Sequence, residues 1–110
     1  MTILEKHKEL CDRIHDTCIK KNHDYGNSAS ELYNKFGLIS YIVRMNDKIN
    51  RINTLVGKRA DVEDEKIEDT LLDLANYCLL AVADMELDKK KTEIIVDKQT
   101  SEIVDFYNLI

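Results

Sequence analysis

Proline is absent from this chain of 110 residues and glycine occurs only three times, at Gly26, Gly37 and Gly57. Little in the sequence therefore interrupts a helix, and the expected class is all-α. Cysteine is scarce as well: Cys11, Cys18 and Cys78 form no CxxC pair and fall at positions expected to be apolar. That pattern suits reduced thiols in a core and argues against metal or redox chemistry. No apolar run approaches the length of a membrane span, and Glu5 and Lys6 interrupt the first ten residues, which excludes a signal peptide and points to the cytoplasm. Basic charge is in deficit, with 16 Lys and Arg against 21 Asp and Glu and a net charge of -5. A general nucleic-acid coat and an anionic-membrane binder are both disfavoured, so any anion must be gripped locally.

A single small domain of this length holds one core but is short for enclosing a substrate. Helices this amphipathic in so short a chain finish their core against a twin, and closed two-fold symmetry is the common solution. A homodimer or higher even-numbered homo-oligomer is expected, with the site near the interface.

Helical spacing organises the chain into three main helices and a tail, an antiparallel bundle. Ile3, His7, Leu10, Cys11, Ile14 and Cys18 repeat at helical spacing behind Thr2, with Glu5 placed to complete a capping box. This helix should end near Lys21, where KNHDYGNS supplies turn-forming residues, and should pack His7 in the core. A second helix should run from Ser28 or Ser30 to Leu55 on the face of Leu32, Phe36, Ile39, Val43, Ile49 and Ile52, with Gly37 loosening it. After the loop VGKRADVED, Asp61 is placed to cap a third helix reaching about Leu87. Residues 1–88 are read as the helical core. Residues 89–110 form a C-terminal extension, with TEIIV extended and SEIVDFYNLI a short helix, and such a tail suits an arm that embraces a partner subunit.

The chemistry lies in two stripes. In EKIEDTLLDLANY, Asp69, Asp73 and Asn76 are spaced by four and three residues on one helical face, with Glu65 a turn upstream. A carboxylate at the edge of a core requires a cation, a donor or a metal. Arg44, Lys48 and Arg51 recur at four and three residues in the preceding helix, with Asp47 among them. Two helices facing each other with these stripes make a pocket suited to a metal-bound phosphate ligand.

Three blocks, KNHDYGNS at Lys21 to Ser28, RMNDKINRI at Arg44 to Ile52 and EDTLLDLANY at Glu68 to Tyr77, resemble the phage and bacterial nucleotide modification associated domain 1 family. That family is itself similar to the all-α nucleoside triphosphate pyrophosphatases of MazG and dimeric dUTPase type. The resemblance implies a MazG-like helical bundle that handles deoxynucleotides, commonly as a dimer, with Mg²⁺, or Mn²⁺ in its place, held by acids on facing helices. Those relatives place two carboxylates at ExxE spacing on one helix and two at ExxD spacing on the next. Glu65, Asp69 and Asp73 match the second site in part. Asp47 stands alone among three bases at the first, and nearby cations oppose metal binding while favouring direct phosphate contact. Arg grips phosphate in a bidentate fork and Lys supplies a point charge.

Each residue carries an ordinary reading beside the functional one. Asp69 and Asp73 are read as catalytic metal ligands, or as partners of Arg44, Lys48 and Arg51 in a structural ion-pair network. Those bases are phosphate ligands or a solvated face. Asn76 and Tyr77 read a base or ribose, or serve the core. Asp24 and Tyr25, in the DYG turn, close over a base, while Gly26 answers a left-handed backbone turn. Lys21 contacts phosphate or caps its helix. The expected function is binding of a (deoxy)nucleoside phosphate and its Mg²⁺-dependent hydrolysis to monophosphate and pyrophosphate. The alternatives are a non-catalytic receptor or sponge that sequesters a nucleotide signal, as in phage counter-defence, and a helical interaction module.

Overall fold

The computed structural model describes residues 1–58 and 61–96, with side chains over 1–58 and 66–89, and these residues form four helices. Helix α1 spans Ile3–Tyr25. Its start is the capping box expected from Thr2 and Glu5: the Glu5 amide donates to Thr2 Oγ1 at 3.2 Å and the Thr2 amide to the Glu5 carboxylate at 2.9 Å. The helix runs a turn beyond Lys21, because Asn22, His23 and Asp24 tolerate helical backbone, and it stops at Gly26, whose φ is 70°.

The second expected helix is two. Helix α2 spans Ser28–Phe36 and α3 spans Ile39–Val56, with Gly37 at φ 77° between them. Gly37 does more than loosen the helix. Its amide closes on the Tyr33 carbonyl at 2.7 Å, and its ψ of -161° puts the backbone in a region that side chains effectively close to other residues. The Cβ of Gly37→Ala would meet nothing within 4 Å, so backbone strain alone should lower stability, by about 1–3 kcal/mol. Chemical denaturation checks this, and an unchanged midpoint would show that the α2–α3 break tolerates an ordinary residue.

Helix α4 spans Asp61–Val96, and the cap expected of Asp61 lies outside what is described of its side chain. The helix continues beyond Leu87, so the β-branched run Thr92–Val96 is helical and not extended. The remainder of the expected extension, with its terminal helix and arm, lies outside the described residues. Among the described residues there is no strand, and no helix is long and apolar enough to cross a membrane.

Helices α3 and α4 form the central antiparallel pair, since Tyr41, Arg44 and Lys48 meet Asp84, Tyr77 and Asp73 in descending order. Among the described residues, Tyr41 and Leu55 of α3 and Thr70 and Ala81 of α4 are buried. The Tyr41 hydroxyl donates to Asp84, whose two oxygens also accept from Ser30 Oγ at 3.0 and 2.9 Å, so one carboxylate ties together α2, α3 and α4. Burial, then the bond to Asp84, pushes the Tyr41 hydroxyl pKa well up from its ordinary value. Helix α1 lies against α4 and α2 against α3.

The thiols and His7 are not core residues. Cys11 and Cys78 are exposed, Cys18 is half-buried, and His7 is exposed with its ring Nδ1 3.9 Å from Cys11 Sγ. Helix α1 buries no residue, and Ile3 and Leu4 stand 82% and 76% exposed. Its apolar stripe is real, but among the described residues only Leu10, Ile14 and Cys18 of it are part-covered.

Candidate functional site

Asp73 is the centre of the site. Helical spacing brings it to the edge of the α3–α4 contact, where Lys48 Nζ donates to Oδ2 at 3.3 Å and Lys21 Nζ, from α1, to Oδ1 at 3.0 Å. Three helices thus meet at one carboxylate. Burial tends to raise its pKa, but the hydrogen bonds and charges of Lys21 and Lys48 outweigh burial and hold it below the ordinary 3.8. The ion pairs are partly open, with Asp73 exposed by 32%, so each is worth about 0.5–1 kcal/mol to stability.

One turn along, the Arg44 guanidinium lies 5.7 Å from the centroid of the Tyr77 ring and donates from Nη1 to the Tyr77 hydroxyl at 3.3 Å. That arrangement fixes a cation over an aromatic face while leaving most of its donors uncommitted to Tyr77.

Two clefts adjoin across Lys21, Asp73 and Asn76. The first, about 370 Å³, has Arg44 and Tyr77 on one wall and Tyr25 with the start of α2, from Asn27 to Ser30, on the other. Asn27 makes no side-chain cap to α2, so the positive end of that helix dipole borders the cleft. The second, about 560 Å³, lies between α1 and α4, with Arg13 and Thr17 facing Glu68 and Asp69. The first cleft is basic and aromatic, and the second pairs acids with an arginine.

Of the residues singled out in the sequence, Lys21, Tyr25, Arg44, Lys48, Asp73, Asn76 and Tyr77 converge here, and Asp69 joins them in the second cleft. Three do not. Asp47 is exposed and lines neither cleft, because one residue of helix turns it about 100° from Lys48. Arg51 is exposed a turn past Lys48, beyond both clefts, and Asp24 is exposed on the last turn of α1. The Glu65 side chain lies outside the described residues. Among the described residues no three His, Cys, Asp or Glu side chains gather closely enough to cage a metal. Lysine amines occupy both Asp73 oxygens instead.

Sequence reasoning overlooked Arg13 and Thr17, although Arg13, Thr17 and Lys21 stand four residues apart on one stripe of α1. It also overlooked Asp84, which shares the α3-facing side of α4 with Asp73 and Tyr77 at helical intervals.

Comparison with known proteins places residues 21–85 under the model of a family described as nucleotide modification associated domain 1. No curated protein and no solved structure matches the chain. The matched segment contains both lysines of the Asp73 clamp, Arg44, Tyr77 and all of the second cleft except Arg13, Ile14 and Thr17.

Proposed function

Because the chain belongs to the nucleotide modification associated domain 1 family, we propose that the cleft around Lys21, Arg44 and Asp73 binds a (deoxy)nucleoside phosphate. The observation that carries this reading is the convergence of Lys21 and Arg44 at a cleft that also presents Tyr25, Tyr77 and Asn76, with Lys48 paired from α3 to the Asp73 that lines it. Asp73 holds the two lysine amines in place without a ligand. An incoming phosphate then exchanges with that carboxylate for the same donors, and Arg44 adds charge-assisted hydrogen bonds. Tyr25, 75% exposed at the cleft mouth, offers a ring for base stacking. Asn76 presents both a donor and an acceptor to a base or sugar.

Replacement of Arg44 by alanine should raise the Kd for the bound nucleotide about tenfold to a hundredfold, the worth of one or two charge-assisted bonds. Titration calorimetry with a panel of ribo- and deoxynucleotides, with and without Mg²⁺, measures this. Unchanged affinity in a folded Arg44→Ala protein would remove Arg44 from the site, and no binding by any nucleotide would remove the reading and leave the helical interaction module.

A second reading, hydrolysis to monophosphate and pyrophosphate, is favoured by Asp69 and Asp73 lining the same cleft. A resident metal cage does not fit the donors described, but Mg²⁺ arriving on a triphosphate commonly takes only one or two protein carboxylates. Asp69 and Asp73 are placed to supply them, and the metal would polarise the phosphoryl group. The lysines and Arg44 would offset phosphate charge. A MazG-like arrangement of the bundle belongs to this reading. Release of free pyrophosphate separates it from simple binding, in which the nucleotide is recovered intact.

A further inference from the structure

The two walls of the second cleft carry opposite charge. Arg13, Thr17 and Lys21 stand four residues apart on one stripe of α1, and Glu68, Asp69 and Asp73 face them from α4. Lys21 and Asp73 are joined by their ion pair. Among the described residues, the side chains of Arg13, Glu68 and Asp69 enter no ion pair or hydrogen bond. The Thr17 hydroxyl is uncommitted among them too, whereas those of Thr54 and Thr70 donate to the carbonyls four residues back at 3.0 and 2.7 Å. About 560 Å³ of open space therefore lies between charged groups that do not satisfy one another. An anion alone meets three carboxylates there, and a cation alone meets a guanidinium and an amine. A polyphosphate accompanied by a divalent cation meets opposite charge on both sides, with phosphate oxygens on Arg13, Thr17 and Lys21 and the metal towards the acids.

We propose that the second cleft takes the phosphates of a nucleotide beyond its first, and that Arg13 is the residue that distinguishes a nucleoside triphosphate from the monophosphate. This rests on the nucleotide reading of the first cleft and deepens it. The two clefts meet at Lys21, Asp73 and Asn76, so a phosphate chain that starts on the Lys21 amine has the second cleft as its continuation. Thr17 lies about 6 Å and Arg13 about 12 Å along α1 from Lys21. A single phosphate at hydrogen-bonding distance from the Lys21 amine does not span that length, whereas a chain of phosphates extends along the stripe towards Arg13. A guanidinium suits the far end, because its fork binds two oxygens of a terminal phosphate and it stays charged at any pH the protein meets. It reads the length of the phosphate chain without touching base or sugar. Arg13 and Thr17 precede residues 21–85, so the family match carries no information about them, and the discrimination belongs to this chain's own α1.

The test is titration calorimetry on the full chain in Mg²⁺, with two ligands built on the nucleoside bound most tightly in the ribo- and deoxynucleotide panel. One is the monophosphate, and the other is the α,β-imido triphosphate, whose bridging nitrogen prevents cleavage to monophosphate and pyrophosphate. Wild type should prefer the triphosphate. Arg13→Gln should weaken triphosphate binding about tenfold to a hundredfold and change monophosphate binding by no more than about twofold. Arg13→Lys keeps the charge without the fork and should recover part of the loss. Arg44→Ala, in the first cleft, should weaken both ligands. Arg13 is exposed, so its replacement leaves the helix packing in place, and circular dichroism verifies the helix content. Equal affinity of the wild type for the two ligands overturns the proposal, as does triphosphate binding that Arg13→Gln leaves unchanged. A loss that falls equally on both ligands also overturns it, since that is the mark of a structural arginine. In each of these cases nucleotide binding itself survives. Failure of both ligands to bind the wild type removes the nucleotide reading, and this proposal with it.

Discussion

Asp73→Asn is expected to tighten binding of a nucleoside phosphate about tenfold while abolishing any hydrolysis. The side chain stands between Lys21 Nζ at 3.0 Å and Lys48 Nζ at 3.3 Å, so in the unliganded chain it is the anion those amines already hold. Removing its charge leaves both lysines to the phosphate and takes a repulsive charge out of the cleft, worth about 1–2 kcal/mol at the separations of a partly exposed site. If Asp73 instead holds Mg²⁺ on the substrate, the same change stops turnover. Calorimetry and pyrophosphate release, measured on one protein, report both. Weaker binding in a folded variant would show that Asp73 supports the ligand and does not compete with it, and undiminished turnover would end its catalytic assignment.

Acid should mimic this change in the stability of the unliganded chain. The folded pKa of Asp73 lies below the ordinary 3.8, so the stability its ion pairs supply is complete above that value. It disappears as the pH falls through the lower, folded value. At neutral pH the clamp is fully formed.

Tyr41→Ala should be the most destabilising of the substitutions considered, at about 3–5 kcal/mol, because the ring is 1% exposed and packs 6.0 Å from the ring of Tyr33. Tyr41→Phe isolates the hydroxyl. It leaves Asp84 without one of its donors and should cost about 1–3 kcal/mol. Because the Tyr41 pKa is raised, its contribution is complete below the ordinary 10.0 and is lost as the pH rises through the higher, folded value. Urea denaturation of the two variants separates packing from hydrogen bonding. A neutral Tyr41→Phe would mean that Ser30 alone satisfies Asp84.

Some of this architecture was legible in the residues because local chemistry decides it. The Thr2–Glu5 box is an example, set within a single turn. Gly37 was harder to read: a glycine in an amphipathic run signals either a tolerated helical position or a stop, and the positive φ that decides between them depends on how α2 and α3 pack. Thr92–Val96 has the composition of a strand but continues a helix already propagating from Asp61, where each added residue requires no new nucleus. Cys11, Cys78 and His7 show the limit of periodicity, which marks a face as apolar without saying what covers it.

The site divides in the same way. Lys48 and Asp73 were visible as stripes on successive helices, and antiparallel packing brings them together. Lys21 was read as a phosphate contact or a cap at the end of the first helix, and the extra turn of α1 sets it inside that helix, on a third wall. Asp47 looked like a ligand by adjacency in sequence, but neighbours on a helix point in different directions.

Helix α2 has nine residues, buries none of them, and ends at a positive-φ glycine, with another just ahead of its start. A helix of that length does not persist alone in water. Its Ser30 hydroxyl on Asp84 and Tyr33 hydroxyl on Asp88, at 3.3 Å, hold it to α4 by polar contacts. Amide hydrogen exchange should therefore find α2 among the first units to open, while the α3–α4 pair remains closed. A nucleotide seated against α2 should then slow that local opening without any change in the rest of the fold.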